Sequence, residues 1–416
     1  MQVKTLLNRV HKVKGFVYER VRFRDSREKG IEVAIRPRRG SRPFCSGCGR
    51  PGKVYDRLAT RSFTFVPLWA ISVVMIYAPR RVNCRTCGVK IELLPWADGK
   101  KRITHAHALF LARWARRLSW KEVAMVFQTS WDTVYRSVAW VVDYGLKHRD
   151  LDNVAAIGVD EIQFQKGHRY LTLVYQIDQS SRRLLWIGPN RTAKSFLRFF
   201  RMMGRKRTGA IQFVCSDMWL PYLKVIRKKI PQAIHILDRF HIVAKLNKAV
   251  DEVRAAEVKE LADEGFDPVL KHSRWCLLKR PENLTAKQGT KLSDLMRYNL
   301  KSIRAYLLKD SFQALWEYES YHWAGRFLDG WIKRAMRCRL EPIKKIARSL
   351  RAHEDLILNW FVAKKEYSSG IVEGLNNKVK LTIRKAYGFR ELEAAQVALY
   401  HTLAKLPEPK LAHRFC

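Results

Sequence analysis

Three carboxylates stand where this sequence could build a metal site. Asp160 follows the apolar run at 156–159 and Asp217 follows the run at 211–216, so each is expected at the end of a strand and at an edge of a sheet. Glu373 lies near the start of a predicted helix. At 100° per residue, the residues on its face are polar or basic, namely Asn376, Asn377, Lys380 and Arg384. The opposite face is apolar and is expected to pack.

Hard divalent cations are the natural partners of such a set. Mg²⁺ prefers carboxylate oxygen and water as ligands, and Mn²⁺ accepts the same ligands. Two such ions serve phosphodiester chemistry, one at the attacking oxygen and one at the leaving oxygen. In a chain with 80 basic and 38 acidic residues, any one acid alone is more often part of an ion pair. The three together, on two strand ends and one helix, predict a magnesium (or manganese) site.

Three nearby residues leave the extent of this site open. Glu161 follows Asp160, and alternation along a strand predicts that its side chain points to the other side. Asp238 and His241 also follow an apolar strand. A structural pair is the simpler interpretation of those two, and the sequence does not decide whether they take part in the site.

A second metal site is indicated by four of the eight cysteines. They form two C-x-x-C pairs, Cys45 with Cys48 and Cys84 with Cys87, each followed by glycine. Two such pairs can hold one tetrahedral Zn²⁺, and glycine suits the turn that aims backbone N–H groups at thiolates. Buried free thiols or a redox pair are the alternatives. Four thiolates leave no open coordination position, so the predicted zinc is structural.

Residues 104–148 switch to a helical period. Ser119-Trp120-Lys121-Glu122 is a capping box that opens a short helix, and a turn at 128–130 precedes a third helix. Three helices with such a turn fit a helix-turn-helix, although an ordinary helical hairpin is the competing interpretation. In a helix-turn-helix, four residues near the start of the third helix would bind DNA: Trp131, Asp132, Tyr135 and Arg136.

Several structural units are needed to carry these sites, which agrees with a length of 416 residues. Three neighbouring strands followed by alternating helix and strand indicate an α/β core, and a long helical stretch follows it. The sequence therefore predicts a multidomain α+β chain. Its parts are an N-terminal zinc-binding, DNA-binding β domain (1–100), a helix-turn-helix domain (101–150), the first part of the α/β catalytic core (151–245), a helical insertion (246–365), and the last part of the core with the Glu-bearing helix (366–416).

The charge balance points to nucleic acid. The formal net charge is +42, and such a field is costly without a polyanionic partner, because Lys and Arg are stabilised by phosphates. Hydrophobic residues make up 47%, which excludes a disordered chain. We expect no membrane span, since no apolar run is long enough to cross a bilayer, and no signal peptide, since Met1–Val10 lacks an apolar segment.

Several passages resemble the ISL-three family of insertion-sequence transposases, and the likeness spans essentially the whole chain. The passages are Gly158-Val159-Asp160-Glu161, Ser216-Asp217-Met218, Asp238-Arg239-Phe240-His241, the block at 369–380 around Glu373, and Tyr387-Gly388-Phe389-Arg390. The resemblance implies bacterial origin, an RNase H-like fold for the catalytic core, and Asp160, Asp217 and Glu373 as the catalytic acids of a DDE enzyme.

The resemblance also implies the substrates. Such an enzyme would bind terminal inverted repeats in double-stranded DNA, cleave by metal-assisted hydrolysis, and join 3′-hydroxyl ends to target DNA by transesterification. Lys380 and Arg384 would hold the DNA backbone, and Asn376 and Asn377 would contact sugar, phosphate or bases. Synapsis of two ends predicts a homodimer, and the chain is expected in the bacterial cytoplasm, on the nucleoid.

Three other functions compete with this one. A non-enzymatic DNA-binding regulator would need only the zinc and helix-turn-helix parts, and it leaves the larger part of the chain unexplained. A structure-specific nuclease would share the metal chemistry but lack the joining step. A tyrosine recombinase would need a nucleophilic tyrosine in an Arg/His cluster; Tyr387 lies among basic residues but has no such companion pattern.

Overall fold

Two units make up the chain in the computed structural model, which describes residues 2–24, 30–165, 167, 169–266, 268–367 and 369–411. The first unit contains residues 1–149 and 382–416, and the second contains residues 150–381. Within the described residues, no helix is long and apolar enough to cross a membrane. Each unit contains both helices and strands, as the α+β prediction requires.

The first unit begins with two small sheets. A four-stranded sheet has the order β1-β2-β5-β4 and a three-stranded sheet has the order β3-β6-β7. The strands are β1 (Phe16–Phe23), β2 (Gly30–Pro37), β3 (Lys53–Arg57), β4 (Arg61–Leu68), β5 (Ile71–Tyr77), β6 (Arg80–Cys84) and β7 (Gly88–Ile91), and helix α1 (Val3–Val10) precedes them. The larger sheet alternates buried and exposed residues and encloses Trp96, whose ring meets Phe16, Phe63 and Tyr77 edge-on.

Four helices complete this unit: α2 (His105–Ala115), α3 (Trp120–Val126), α4 (Trp131–His148) and α15 (Leu392–Leu403). The predicted capping box is present, because Ser119 accepts from the backbone of Glu122 while the Glu122 carboxylate accepts from the backbone of Ser119. Ser130 caps α4 in the same way through the Thr133 N–H. The three helices of the predicted helix-turn-helix region therefore begin where their caps indicate.

The last segment of the chain differs from the prediction, which placed 366–416 in the catalytic core. Residues 382–416 group with the first unit instead. Apolar residues of α15 are buried, and an added Cβ at Gly145 of α4 would meet Leu406 at 2.5 Å. Glu408 accepts from both Arg113 and Arg116. The sequence reasoning missed this because these partners lie near the opposite end of the sequence.

A five-stranded sheet of order β10-β9-β8-β11-β12 forms the centre of the second unit. Strands β8 (Ala156–Gln165), β9 (Arg169–Ile177) and β10 (Arg182–Pro189) are antiparallel neighbours, whereas β11 (Phe213–Ser216) and β12 (Ile234–Leu237) run parallel to β8. The first three strands follow one another closely in sequence, which permits hairpins. The parallel pair needs crossovers, and helices supply them.

Ten helices accompany this sheet in the described part of the unit. They are α5 (Ala193–Gly209), α6 (Leu220–Lys229), α7 (Arg239–Asp263), α8 (Arg274–Leu278), α9 (Ala286–Leu295), α10 (Lys301–Phe312), α11 (Tyr321–Arg337), α12 (Glu341–Arg351), α13 (Glu354–Val362) and α14 (Ser369–Lys385), whose last residues belong to the first unit. In the described part of the stretch predicted to be helical, 246–365, the elements are α-helices and two short 3-10 helices.

The two faces of β8 have different neighbours. Ile157 and Val159 point into an apolar core that also contains Phe196 of α5 and Tyr222 of α6. Because side chains alternate along a strand, Gly158 and Asp160 point to the other face. Helix α14 lies there, since an added Cβ on Gly158 would meet Val372. The sheet is thus covered by α5 and α6 on one face and by the Glu373 helix on the other.

Candidate active site

Register places three aspartates side by side across β8, β11 and β12. Cys215 is level with Gly158, and Ser216 is level with Leu237. The paired register of β8 and β11 ends two residues before Asp160 and Asp217, and Asp238 directly follows Leu237, so all three aspartates lie just beyond the same paired rows of the sheet. Neighbouring strands are about 4.8 Å apart, so these carboxylates share one edge of the sheet.

Asp160 lies within its strand, not at the end as the sequence predicted. Strand β8 continues to Gln165 because its second half pairs with β9, Ile162 opposite Leu171. Its parallel neighbour β11 ends at Ser216. At Asp160, β8 is thus no longer paired with β11 but is still paired with β9. This leaves the carboxylate at an open edge.

The environment of Asp160 suits a cation. Burial raises the pKa of this carboxyl, and the nearby Asp217 and Asp238 raise it too, whereas the Glu161 N–H and His241 act in the opposite direction. That N–H donates to Asp160 Oδ1 at 2.8 Å. Several acids packed at one sheet edge repel one another, and a divalent ion would relieve that repulsion. The residues present therefore fit magnesium or manganese.

Glu373 reaches the same region through its helix. Asn376, one turn further along α14, donates its amide N–H to Asp160 Oδ2, and Tyr175 of β9 donates its hydroxyl to Asn376 Oδ1 at 2.7 Å. Glu373 itself is exposed. Within the described chain, a group of three or more metal-ligating atoms all within 4.8 Å of one another is found only at the four cysteines. Asp160 and Asp217 thus lie near each other, and α14 brings Glu373 to the same face of the sheet without a contact to either acid in the described residues.

Gly158 allows this approach of α14 to β8. A Cβ at this position would lie 2.4 Å from Val372 Cγ2 and 3.2 Å from Ile177 Cγ2, closer than packed carbons tolerate. Both neighbours are β-branched side chains held in the core, so the helix itself would have to move. The close contact fixes the height of Glu373 and Asn376 above the strand.

Gly158→Ala should lower the free energy of unfolding by about 1–3 kcal/mol, the usual cost of overpacking, because α14 must shift. Urea unfolding measures this loss. Val372→Ala is the compensating change, because the Val372 Cβ would lie 3.8 Å from the new methyl group. The double variant should be less destabilised than the sum of the single ones; strict additivity would contradict the contact.

Glu161 occupies the other face of β8. Its carboxylate pairs with Arg191 at 2.7 Å, and Arg191 also reaches Asp217 at 3.1 Å while its guanidinium lies 4.6 Å from the Trp219 ring centre. Burial, with Asp217 second, raises the pKa of Glu161 to about 8 although Arg191 opposes the shift. Burial lowers the pKa of Lys245 of α7, and the nearby Asp217 opposes that shift. Sequence reasoning missed Arg191 and Lys245, because nothing distinguishes two cations among 80.

Asp238 and His241 belong to the start of α7. The Asp238 carboxylate accepts from the Phe240 N–H at 2.7 Å and so caps the helix, and its second oxygen lies 3.8 Å from His241 Nε2. Both residues nevertheless influence Asp160 electrostatically. Asp238 thus has a structural role and a place beside the candidate metal ligands.

The four predicted zinc ligands come together in the first unit. The Sγ atoms of Cys45, Cys48, Cys84 and Cys87 all lie within 4.8 Å of one another, with 3.5 Å between Cys48 and Cys84. Sulfurs around a tetrahedral Zn²⁺ at about 2.3 Å would be about 3.8 Å apart. The cluster therefore has the donor set and the spacing of a zinc site.

Backbone geometry supports the cysteine cluster. The glycines after each pair, Gly49 and Gly88, both have φ of +69°, a conformation that glycine adopts without strain. The backbone N–H groups of Cys87 and Thr86 lower the pKa of Cys84 to about 6, whereas the neighbouring thiols raise that of Cys87 to about 12. Four thiols this close cannot all ionise without a cation, and Zn²⁺ would supply that charge.

The residues predicted to reach bases lie at the start of α4. Trp131, Asp132 and Arg136 are exposed, and Tyr135 is half-buried. The rings of Trp131 and Tyr135 stack at 5.5 Å and 9°, and Asp132 pairs with Arg136 at 3.0 Å. The aromatic pair is therefore a rigid element with one exposed side, and the ion pair is local to one helix turn.

The predicted DNA contacts on α14 divide into two groups. Asn377, Lys380 and Arg384 are exposed, whereas Asn376 is only 6% exposed and both ends of its amide are engaged within the protein. Asn376 follows Val372 by one helical turn, so it faces β8. This environment differs from the one that a DNA contact requires.

Known proteins similar to this chain agree on one family. A family model described as "Transposase", of the DDE type and the ISL-three family, matches residues 157–399, a stretch that contains Asp160, Asp217 and Glu373. A transposase for insertion sequence element IS1001 from Bordetella parapertussis is 28% identical over 91% of this chain and 93% of the relative. One for insertion sequence element IS1557 from Mycobacterium tuberculosis is 31% identical over 90% of this chain and 88% of the relative. The chain belongs to the ISL-three family of insertion-sequence transposases.

Proposed function

We propose that this transposase binds the terminal inverted repeats of its insertion sequence, hydrolyses DNA at the element's ends, and joins the resulting 3′-hydroxyls to target DNA. The observation that carries the proposal is that β8 and β11 pair up to Gly158 and Cys215, two residues before Asp160 and Asp217, with the Glu373 helix hydrogen-bonded to Asp160 through Asn376. Three hairpin-connected strands followed by two parallel ones support an RNase H-like core, formed by residues 151–245 and the first part of α14. Residues 246–365 form the helical insertion.

Asp160, Asp217 and Glu373 would hold two Mg²⁺ or Mn²⁺ ions. When bound, the ions would polarise the attacking and leaving oxygens of a phosphodiester. In the first reaction a water oxygen bonds to phosphorus and the P–O3′ bond breaks, which leaves a 3′-hydroxyl. In the second, that hydroxyl bonds to a target phosphorus and the target's P–O3′ bond breaks. No covalent protein–DNA intermediate is needed.

The first unit would read the repeat. Its zinc-bound sheet and helix-turn-helix would position the duplex, with Trp131, Asp132, Tyr135 and Arg136 near base edges. Asn377, Lys380 and Arg384 would contact the DNA backbone. Two ends must be brought together, so we expect a homodimer in the synaptic complex.

Asn376→Ala should reduce cleavage about 10–100-fold, the usual cost of losing a partner that orients a metal ligand. The Asn376 amide N–H fixes Asp160 Oδ2 while the Glu161 N–H fixes Oδ1, so both oxygens are oriented and each keeps a lone pair for a cation. Tyr175→Phe removes only the outer hydrogen bond and should cost less. If both variants need more Mn²⁺ for cleavage, as measured by titration, Asn376 acts by positioning the Asp160 carboxylate. If the Mn²⁺ requirement is unchanged and DNA binding is weaker, Asn376 is a DNA contact after all.

A strand-transfer assay tests the proposal against its rivals. Short duplexes ending in the element's repeat with a ready-made 3′-hydroxyl are incubated with Mg²⁺ and a plasmid target. Joined products support a transposase mechanism. Cleavage of intact ends with no joining would assign the chain to structure-specific nucleases, and binding with neither reaction would leave a DNA-binding regulator.

A further inference from the structure

The outer surface of α5 and α6 is strongly cationic. Between Asp178 and Asp238 the sequence contains 13 basic residues and one acidic residue, Asp217. The exposed positions of the two helices are Lys, Arg, Gly and Leu220 only. Seven of these cations form what we call the α5–α6 face: Lys194, Arg198, Arg201, Lys224, Arg227, Lys228 and Lys229.

These cations lack acidic neighbours. Among the described residues, none of the seven makes an ion pair. The helical stretch that follows is different, because Lys301 pairs with Glu260, Lys333 with Asp329 and Lys344 with Glu341. A basic composition alone therefore does not explain the α5–α6 face. Its unpaired charges repel one another unless a polyanion neutralises them.

The spacing of the cations fits a nucleic-acid backbone. Lys194, Arg198 and Arg201 fall within about 60° of one another on α5 and span about 10 Å of its axis. Four successive phosphates of one DNA strand, separated by three steps of about 3.4 Å each, rise by a similar distance. Gly204, with φ of +75°, interrupts the helix after this row.

A groove between the two helices adds to the surface. It has a volume of about 370 Å³, with Ala193, Leu197 and Val225 in its apolar part and Lys224 and Lys228 at its rim. Leu220 at one end is 56% exposed. An apolar floor with a cationic rim suits a sugar–phosphate strand, which presents deoxyribose carbons between its phosphates.

The α5–α6 face begins at the edge of the sheet where Asp160, Asp217 and Asp238 lie. Helix α5 starts two residues after Arg191, which pairs with Asp217, and α6 starts three residues after Asp217 itself. A duplex on the α5–α6 face would therefore approach the acids. The exposed side chains of the face are lysines and arginines, which bind the phosphates of any sequence, and we expect recognition there to use the DNA backbone.

From these observations we propose that the α5–α6 face binds the target duplex during strand transfer. This rests on the proposed function. A target phosphodiester must reach the acids at which the transposon's 3′-hydroxyl is held, and the face leads to that edge. The repeat would be held elsewhere, by residues able to read its bases.

The test removes charge from the face in the full-length protein. The face variant carries Lys194→Gln, Arg198→Gln, Lys224→Gln and Lys228→Gln. The matched control carries Lys259→Gln, Lys287→Gln, Lys345→Gln and Lys364→Gln, four exposed cations of the helical stretch. Both should fold with unchanged Tm, because exposed side chains contribute little to stability.

Pre-cut repeat ends and a plasmid target provide the readout. We expect the face variant to lose about 10-fold or more of strand transfer, and the salt slope for random-sequence duplex to fall by about 3–4, near 0.9 per lost phosphate contact. Repeat binding and end cleavage should stay within about twofold of wild type. The control variant should keep wild-type strand transfer, salt slope, repeat binding and end cleavage.

Several outcomes would overturn the assignment. One is unchanged strand transfer by the face variant, and another is an equal loss in the control. Loss of repeat binding would place the transposon end on this face, and loss of a dimer in light scattering would make it a self-contact. Asp160→Asn in parallel separates the two proposals, because cleavage by that variant would refute the proposed function and not the face.

Discussion

Asp160→Asn should abolish end cleavage and strand transfer, by at least about 10³-fold, while the affinity for repeat DNA stays within about twofold. Asparagine keeps the shape of the side chain, and it can still form a hydrogen bond with Asn376 if one of the two amides flips. It removes the negative charge that a divalent ion needs. The loss would therefore come from the metal site and not from a cavity. Gel-shift and cleavage assays on the same repeat duplex separate binding from chemistry.

Two further variants make the result specific. Asp263→Asn changes the same atoms at an exposed position at the end of α7 and should be silent. Glu161→Gln lies next to Asp160 in the chain but pairs with Arg191 on the other face of β8, so we expect a smaller loss. Calorimetry with Mn²⁺ adds a readout independent of catalysis, since Asp160→Asn should weaken binding of the ion. Wild-type cleavage by Asp160→Asn would remove the basis of the catalytic assignment.

Local sequence signals predicted which helices and strands form better than they predicted which of them lie next to one another. The capping box at Ser119 and the four cysteines depend on residues within a few positions of one another and on turn chemistry, so they could be recognised directly. The apolar strands before Asp160 and Asp217 were predicted by their composition. The end of β8 was not predicted correctly. It lies at Gln165 because pairing with β9 ends there, and pairing depends on both strands and not on one local sequence.

Long-range contacts explain what the sequence could not predict. Helical periodicity grouped Asn376 with Lys380, but the contact of Val372 with Gly158 turns Asn376 towards Tyr175 and Asp160. Nothing in the sequence around Tyr175 or Arg191 indicates that either reaches the acids. Helix α15 has a buried alanine-rich face that would suit many partners, and only the fold shows that it belongs to the first unit.

The small sheet that carries the cysteines has almost no apolar core of its own. Its buried apolar cluster consists of Cys45, Val82 and Cys84, with Cys87 packed against them. The ion pair between Arg80 and Glu92, 2.7 Å long and nearly fully buried, adds order next to it. Such a sheet buries too little surface to fold alone. A structural Zn²⁺, worth roughly 10–16 kcal/mol in zinc-finger peptides, would supply the missing stability.

Cys84→Ser should therefore release the zinc and reduce binding of repeat DNA by about 100-fold or more, because a disordered sheet cannot present a fixed surface to the duplex. Atomic absorption measures the zinc content, near-ultraviolet circular dichroism measures the order of the sheet, and a gel shift measures the binding of repeat DNA. Cys338→Ser is the matched control, a partly exposed thiol in the second unit that contacts the Leu340 carbonyl. Full zinc content and normal repeat binding in Cys84→Ser would show that Cys84 is not needed to hold the metal. Loss of zinc with unchanged repeat binding would instead place DNA recognition on the helices alone.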